Sequence, residues 1–316
     1  MPEVCIATLH PTIPVVDFRD WADGRMSPKF VQDLGDGLSK FGFVAVTGHG
    51  VAPWILDRAY DTARRTFALS EDVKKQYETP EDGRQRGYTS FGVEHAKDNP
   101  APDLKEFWHV GRNLGDDHPL HRSGDIPPNL FPGEVPEFEE VFSDYFQRIE
   151  AFALSLLDAL EQYLGLSAGF FRDMTRDGNS VVRIIHYPAL TEPPPPGSVR
   201  AAQHEDINLM TVLPASTAEG LELMTNEGEW MAVMTPPDVL VVDTGDMMKL
   251  LTGGILPATT HRVVNPEGAK MGEERLSMPF FMHPHPDFRL KPLGSTDDGV
   301  TTRDFLLERL RAIGVA

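Results

Sequence analysis

The chain has 316 residues, of which 41% are hydrophobic, enough to build a buried core in one large domain or two small ones. Its 29 basic and 48 acidic side chains give a formal charge of −19, which argues against nucleic acid and anionic membranes as partners. The single cysteine, Cys5, excludes an intramolecular disulfide or a thiolate metal cluster, and without a recognisable signal peptide or membrane-length apolar run we expect a cytoplasmic protein.

The region 1–135 is predicted to mix helices with short strands. Strand segments are recognised by β-branched and aromatic side chains bounded by turn residues, and helices by apolar residues at spacings of three and four. By these criteria the strands are 13–18, 41–47 and 106–110, and the helices are 28–40 and 53–68. Residues 79–135, rich in glycine, proline and charge, are expected to form loops around a few strands.

The region 136–316 is predicted to begin with a long helix and to continue as strands. The helix covers 136–166, where apolar side chains form one core-facing stripe, and a shorter helix is expected at 302–313. Between them lie evenly spaced β-rich segments, namely 180–187, 209–214, 221–224, 230–233, 239–242, 261–264 and 275–282. Such spacing is typical of a sandwich or barrel, so we predict an α+β protein whose two regions form one compact unit.

A possible metal site lies in the β-rich region. His204 and Asp206 are two residues apart, so on a strand they share one face, and His261 would reach them from another strand. Two imidazoles and one carboxylate can occupy one face of an octahedral metal and leave positions open, as in non-haem Fe(II) oxygenases. A zinc hydrolase could use the same ligands with Glu205 as general base, but on a strand Glu205 would point away.

A possible carboxylate anchor follows the second histidine. Arg275 and Ser277 are also two residues apart, and a guanidinium and a hydroxyl on one face can grip a carboxylate with three hydrogen bonds. Tyr187 offers a phenol that could reach the same anion. The alternative for Arg275 is a surface salt bridge with Glu273 or Glu274.

Together these motifs resemble the isopenicillin N synthase-like branch of the Fe(II)/2-oxoglutarate-dependent oxygenases over nearly the whole chain. The N-terminal part of the resemblance rests on Ile13-Pro14-Val15-Val16-Asp17, Gly42-Phe43-Val44 and Gly48-His49-Gly50. It implies a double-stranded β-helix (jelly roll) core braced by N-terminal and C-terminal helices. One departure is Ile185-His186-Tyr187-Pro188, where plant members often carry Asn-Tyr-Tyr-Pro, so plant-type substrates are not implied.

The resemblance also implies roles for individual residues. His204, Asp206 and His261 would bind Fe(II), whereas Arg275 and Ser277, helped by Tyr187, would bind the distal carboxylate of 2-oxoglutarate. Two aromatic residues, Phe281 and Trp108, would line the substrate pocket. Gly245-Asp246 resembles the family's turn before the second histidine and is expected to be structural.

The predicted function is hydroxylation, desaturation or cyclisation of a small organic molecule, with 2-oxoglutarate and O2 as co-substrates and succinate and CO2 released. One alternative is an oxidase that uses Fe(II) and O2 without 2-oxoglutarate, in which Arg275 would hold the carboxylate of the substrate itself. Another is a non-catalytic jelly-roll protein that binds a small molecule. Neither the prime substrate nor the oligomeric state is predicted.

Overall fold

Two sheets, antiparallel except for one strand pair, form the centre of the fold in the computed structural model, which describes residues 13–97, 101–115, 117–225 and 227–314. Cys5 lies outside these residues. The helices are α1 (Pro28–Phe41), α2 (Pro53–Phe67), α3 (Glu71–Lys75), α4 (Pro119–Arg122), α5 (Phe138–Leu164), α6 (Phe170–Thr175), α7 (Asp246–Leu251) and α8 (Thr302–Ala312). The strands are β1 (Val15–Asp17), β2 (Phe43–Thr47), β3 (Gly87–Thr89), β4 (Glu106–Gly111), β5 (Val181–Tyr187), β6 (Ala201–His204), β7 (Met210–Pro214), β8 (Leu221–Met224), β9 (Trp230–Ala232), β10 (Leu240–Thr244), β11 (His261–Val263), β12 (Arg275–Ser277), β13 (Phe280–Met282), β14 (Arg289–Leu290) and β15 (Val300–Thr301).

The larger sheet has nine strands and the smaller one has four. The larger follows the order β1-β2-β10-β7-β13-β5-β4-β3, with β12 also paired to β5, and the smaller follows β6-β11-β8-β9. β1 and β2 pair in parallel, and the other strand pairs of these two sheets are antiparallel. This mixed architecture of helices and two many-stranded sheets agrees with the predicted jelly-roll core.

A hydrophobic cluster joins the two sheets. Phe43, Phe107 and Ile185 of the larger sheet belong to one buried group with Leu221 and Val263 of the smaller sheet. Inward-facing side chains therefore come from both sheets, as in a sandwich. The cluster leaves polar side chains of the same strands free to line a cavity between the sheets.

The other face of the larger sheet is covered by α5. Phe146 of α5 meets Phe280 of β13 edge to face with ring centroids 5.3 Å apart, and the Tyr145 hydroxyl donates to the Met278 carbonyl at 2.8 Å. The helix ends at Gly165, whose φ of 67° is a left-handed conformation that glycine adopts without strain. Burying each aromatic side chain of this stripe contributes roughly 1.5–3 kcal/mol, so α5 anchors the sheet from behind.

The four predicted helices and the predicted strand segments are present, whereas several short elements were not predicted. All four predicted helices are found with ends shifted by a few residues, whereas α4, α6 and α7 are too short to show a helical period. The single strand predicted at 275–282 is divided into β12 and β13. Pro279 separates them because it has no N–H for a strand ladder, although its carbonyl accepts from Arg183 N at 2.9 Å.

Candidate active site

A cavity of about 770 Å³ lies between the two sheets and contains most of the predicted site residues. It is lined by His204, Asp206 and His261 in one part and by Tyr187, Arg275, Ser277 and Phe281 in another. Residues from both sheets contribute, together with the loop around residue 95 and α8. The fold therefore brings together groups that are far apart along the chain.

The two histidines face each other across a strand pair. His261 of β11 lies directly opposite His204 of β6, and their ring centroids are 4.3 Å apart. Asp206 Oδ1 lies 3.8 Å from Nε2 of His204 and 3.7 Å from Nε2 of His261. The expectation that one strand carries both His204 and Asp206 was wrong, because β6 ends at His204 and Asp206 follows in a loop.

Backbone carbonyls orient both imidazoles. Nδ1 of His204 is 2.7 Å from the Ala202 carbonyl, and Nδ1 of His261 is 3.1 Å from the Thr259 carbonyl, so each Nδ1–H donates to its carbonyl. Both Nε2 lone pairs are then directed towards Asp206, as in metal-ligating histidines. Burial and the neighbouring His261 lower the pKa of His204 to about 4, which keeps this imidazole neutral at physiological pH.

Asp206 is held by the residues around it. The Thr211 hydroxyl donates to Asp206 Oδ2, and the Asn208 side-chain amide donates to Thr211 at 2.9 Å. Asp243 is also buried nearby, and its burial together with the charge of Asp206 raises the pKa of Asp243 well above its usual range. Asp243 therefore favours its neutral form, and Asp206 is the oxygen donor that lies with the two histidines.

Gly245 fixes the backbone of the loop that carries Asp206. The amide of Asp246 donates to the Asp206 carbonyl at 2.7 Å, and a Cβ at Gly245 would lie 2.6 Å from that carbonyl oxygen and 2.5 Å from that of Asn208. Any larger residue would have to displace the loop that carries Asp206. The expected structural role of Gly245-Asp246 therefore has a direct geometric basis.

The donor set fits a divalent metal of the Fe(II) type. Each of the three side chains offers one ligand atom, and these atoms lie within 4.8 Å of one another. Two imidazoles and one carboxylate suit Fe(II) and leave three octahedral positions for other ligands. Glu205 borders the cavity, so the expectation that it points away was wrong. Its carboxylate is paired with Lys249 at 3.2 Å, and it therefore gives little support to a zinc hydrolase that would use it as general base.

The predicted carboxylate anchor is buried in the same cavity. Arg275 lies opposite Tyr187 across the β12–β5 pair, with its guanidinium carbon 5.0 Å from the Tyr187 ring centroid. Its Nε donates to the Ala218 carbonyl at 3.1 Å, whereas its buried Nη1 has no hydrogen-bond partner among the described residues. Ser277 is buried two residues further on. An anion such as a carboxylate would satisfy these donors.

The surface alternative for Arg275 is wrong. Arg275 is only 1% exposed, and Glu274 instead contacts Arg64 at 3.1 Å and His186 at 3.3 Å. A cation buried to this degree without a carboxylate partner carries a desolvation cost that a bound anion offsets. The guanidinium is therefore available to a ligand in the cavity.

Of the two predicted pocket aromatics, only Phe281 lines the cavity. Trp108 is fully buried on the opposite side of β4, where its indole N–H donates to the Leu130 carbonyl at 3.0 Å and its ring lies 5.4 Å from that of Phe138. The prediction for Trp108 was wrong because strand residues alternate between faces, and its neighbour Phe107 belongs to the buried cluster between the sheets.

A polar wall beside the triad was not predicted. It consists of Glu94, Lys105, His109, Arg183 and His283, which are buried or largely buried and line the cavity. The available signal was strand alternation, because Arg183 is four residues before Tyr187 and shares its face of β5. We call these five residues the polar wall.

Comparisons with known proteins agree with this geometry. Residues 13–134 match a family model described as the N-terminal region of non-haem dioxygenase in morphine synthesis. Residues 178–284 match the family model of the 2OG-Fe(II) oxygenase superfamily. The 2-oxoglutarate-Fe(II) type oxidoreductase hxnY of Emericella nidulans is 30% identical over 289 residues, covering 89% of this chain and 82% of the relative. The chain belongs to the 2-oxoglutarate–Fe(II) oxygenase family.

Solved structures show the same fold for this oxygenase. A 2OG-Fe(II) oxygenase family protein from Caulobacter crescentus is 36% identical with a TM-score of 0.85, covering 97% of this chain and 100% of that chain. A full-length Neurospora crassa protein in complex with alpha-KG has 24% identity and a TM-score of 0.83, covering 96% of this chain and 98% of that one. The resemblance in the sequence and the jelly-roll fold are thereby confirmed.

The family membership decides among the predicted functions. The protein is an enzyme, a 2-oxoglutarate-dependent Fe(II) oxygenase that uses O2. The family membership therefore favours this function over an oxidase that does not use 2-oxoglutarate and over a non-catalytic binding protein. Among the described residues, no helix combines the length and the apolar character needed to cross a bilayer.

Proposed function

We propose that His204, Asp206 and His261 bind Fe(II) in this oxygenase and that Arg275, Ser277 and Tyr187 bind 2-oxoglutarate beside it. The observation that carries the proposal is one cavity holding both a three-ligand cluster and a buried guanidinium whose Nη1 has no hydrogen-bond partner among the described residues. These features fit the two small species that the family binds, a metal ion as cofactor and a dicarboxylate as co-substrate.

Bound Fe(II) supplies the oxidising chemistry by which O2, 2-oxoglutarate and a substrate C–H group give succinate, CO2 and a hydroxylated product. The residues of the chain act by positioning. Arg275 holds the distal carboxylate through charge-assisted hydrogen bonds and Ser277 adds a hydroxyl. The apolar cluster between the sheets, to which Tyr187 belongs, lowers the polarity of this end of the cavity, which strengthens those bonds.

We propose a small organic molecule as prime substrate, with Phe281 forming part of its pocket. Relatives show how varied such molecules are, since one is named as a validamycin A dioxygenase, another as a proline hydroxylase, and a structure of the Neurospora crassa protein contains thymine. Desaturation or cyclisation needs the same iron and 2-oxoglutarate residues with a different placement of the substrate. We also propose a cytoplasmic location, based on the single cysteine, which cell fractionation would test.

Succinate release tests the proposed function. Purified protein loaded with Fe(II) and given 2-oxoglutarate and O2 is expected to form succinate slowly even without a prime substrate. An anaerobic spectroscopic titration should detect binding of 2-oxoglutarate to the Fe(II) protein. Absence of both signals at millimolar 2-oxoglutarate would reject the proposed site and favour an oxidase in which Arg275 holds the substrate.

A further inference from the structure

The polar wall and the neighbouring buried Asp103 together carry two cations and two carboxylates. Lys105 Nζ lies 2.6 Å from Glu94 Oε1 and 2.8 Å from Asp103 Oδ2, and Arg183 Nη1 lies 3.1 Å from Glu94 Oε1. Two cations are thus matched by two carboxylates. Although burial alone would raise it, Arg183 and Lys105 hold the pKa of Glu94 well below its usual range, so this carboxyl stays ionised.

The two histidines of the polar wall add no charge. Burial and the neighbouring Arg183 lower the pKa of His109 well below its usual range, and burial lowers the pKa of His283 to about 4. The hydrogen bonds agree, because Arg183 Nε donates to His109 Nε2 at 2.7 Å while His109 Nδ1 lies 2.9 Å from the Arg84 carbonyl. A substrate with a carboxylate would therefore find no uncompensated buried cation here.

The polar wall contains one hydrogen-bond donor and one hydrogen-bond acceptor without partners among the described residues. Within the described ranges, Arg183 Nη2 makes no hydrogen bond and the buried Glu94 Oε2 has no partner. The two groups belong to side chains joined by an ion pair. A buried carboxylate oxygen without a hydrogen-bond donor is costly, so a bound molecule that supplies an N–H would stabilise it.

The guanidinium of Arg183 is also held in place by aromatic rings. Its central carbon lies 4.5 Å from the ring centroid of Phe107 and 5.5 Å from that of Phe281. Phe281 pairs with Thr211, the residue whose hydroxyl donates to Asp206. The recognition groups are therefore fixed next to the proposed iron site, where a substrate must place its reacting carbon.

From these contacts we infer that the prime substrate is an uncharged molecule with a neighbouring N–H and C=O, as in a lactam, a cyclic ureide or another amide edge. Its N–H donates to Glu94 Oε2 and its carbonyl accepts from Arg183 Nη2. This inference rests on the proposed function, because it takes the cavity beside His204, Asp206 and His261 as the substrate site. Glu94 and Arg183 are then the residues that determine specificity.

A binding comparison with matched probes tests the inference. Zn(II)-substituted protein with saturating 2-oxoglutarate is titrated by ligand-observed NMR with 2-pyridone, uracil, δ-valerolactam, N-methyl-2-pyridone and benzoate. The lactams and uracil are expected to bind, and N-methylation of 2-pyridone should weaken binding on the order of tenfold or more, because a hydrogen bond to a charged group is lost. Benzoate binding as tightly as the lactams, equal binding of the N-methyl compound, or no lactam binding at millimolar concentration would each overturn the inference.

Two variants separate this inference from the proposed function. Glu94→Gln should lose the preference for 2-pyridone over its N-methyl form, while its affinity for 2-oxoglutarate stays close to that of the wild type. Arg183→Lys, which keeps the charge but loses the forked donor, should weaken lactam binding in the same way. If 2-oxoglutarate binding fails in the wild type, the proposed function is wrong. If it persists and the probes bind without the N–H preference, only the inference is wrong.

Discussion

His204 and His261 are cross-strand partners whose imidazole ring centroids lie 4.3 Å apart. The Nδ1 atom of each ring forms a hydrogen bond with a backbone carbonyl. The pairing leaves Nε2 of each ring directed to the same side, next to Asp206 Oδ1. A metal bound here would be held by two strands and one loop. Loss of either ring should therefore remove the metal and leave the strand pair intact.

The first prediction concerns iron stoichiometry. Anaerobic Fe(II) titration should show one site per chain, and His261→Ala should abolish both iron uptake and succinate formation, because two remaining ligands cannot hold the ion. His285→Ala is the matched control, since that histidine accepts a hydrogen bond from the Asp287 amide and does not line the cavity. Full activity with bound iron in His261→Ala would show that the ligand assignment is wrong.

The second prediction concerns the 2-oxoglutarate anchor. Arg275→Lys keeps the charge but loses the forked donor geometry, so the apparent KM for 2-oxoglutarate should rise on the order of ten- to a hundredfold. Arg200→Lys is the control, because Arg200 is also buried near Tyr187 but donates to the Glu273 carbonyl at 2.7 Å and lines a separate groove. Equal KM changes in both variants would indicate a general effect of removing buried arginine.

The third prediction distinguishes Phe281 from Trp108. Phe281→Ala should change substrate preference or the coupling of succinate formation to product while Fe(II) affinity stays the same, because Phe281 lines the cavity. Trp108→Ala should lower the free energy of unfolding by about 3–5 kcal/mol, the usual cost of removing a buried large aromatic side chain. Denaturation curves and product analysis of both variants measure the difference. An unchanged stability of Trp108→Ala would contradict its position in the core.

The fourth prediction concerns the support of Asp206. Thr211→Val removes the hydroxyl that donates to Asp206 Oδ2 but keeps the side-chain shape, so Fe(II) affinity should fall on the order of ten- to a hundredfold. Thr211→Ser, which keeps a hydroxyl, should retain most of the affinity. Titration of both variants with Fe(II) measures the effect, and equal losses would point to packing rather than to the hydrogen bond.

The fifth prediction concerns acid stability and follows from Glu94. Its pKa is lowered in the folded protein, so the unfolded chain takes up this proton first as the pH falls. The stability contributed by ionised Glu94 is therefore complete above the unfolded pKa of about 4.3 and is lost as the pH falls below it. Lys105, Arg183, Asp103 and His204 are the charged or titratable groups around it.

Urea denaturation of the metal-free protein at several pH values measures this effect. The free energy of unfolding of the wild type should fall between about pH 5 and pH 3, and Glu94→Gln should show a shallower fall because one of the depressed carboxyl groups is gone. Glu139→Gln, at an exposed position of α5, is the control and should follow the wild type. Parallel curves for wild type and Glu94→Gln would contradict the prediction.

The sequence was sufficient for the long elements and for selecting residues that the fold brings together in one cavity as the proposed triad and anchor. The helical periodicity of apolar residues predicted α1, α2, α5 and α8. Pairs of functional residues two positions apart in the sequence selected His204, Arg275 and their partners. These signals are local: a residue and its neighbour two positions away share a face whenever the backbone is extended. Local signals cannot give the end of a strand, which is why Asp206 was placed on β6 rather than after it.

The polar wall and the position of Trp108 depend on contacts between distant segments. Glu94 lies in a loop, and its ion pairs form because the pairing of β4 with β5 brings Lys105, just before β4, and Arg183 of β5 close to it. Trp108 was assigned to the cavity by resemblance, but which face of β4 meets the cavity is set by pairing and by α5 behind the sheet. The spacing of residues along the sequence does not contain these contacts between distant segments.

The N-terminal half completes the sheet that carries the active site. β2 pairs with β10, β4 pairs with β5, and the ring of Phe43 on β2 meets His261 edge to face with centroids 5.7 Å apart. A chimaera that took residues 13–134 from a relative would therefore exchange one side of the cavity together with two edges of the sheet. Engineering of selectivity by swapping halves must preserve both strand registers, whereas point changes at Glu94 or Arg183 leave them untouched.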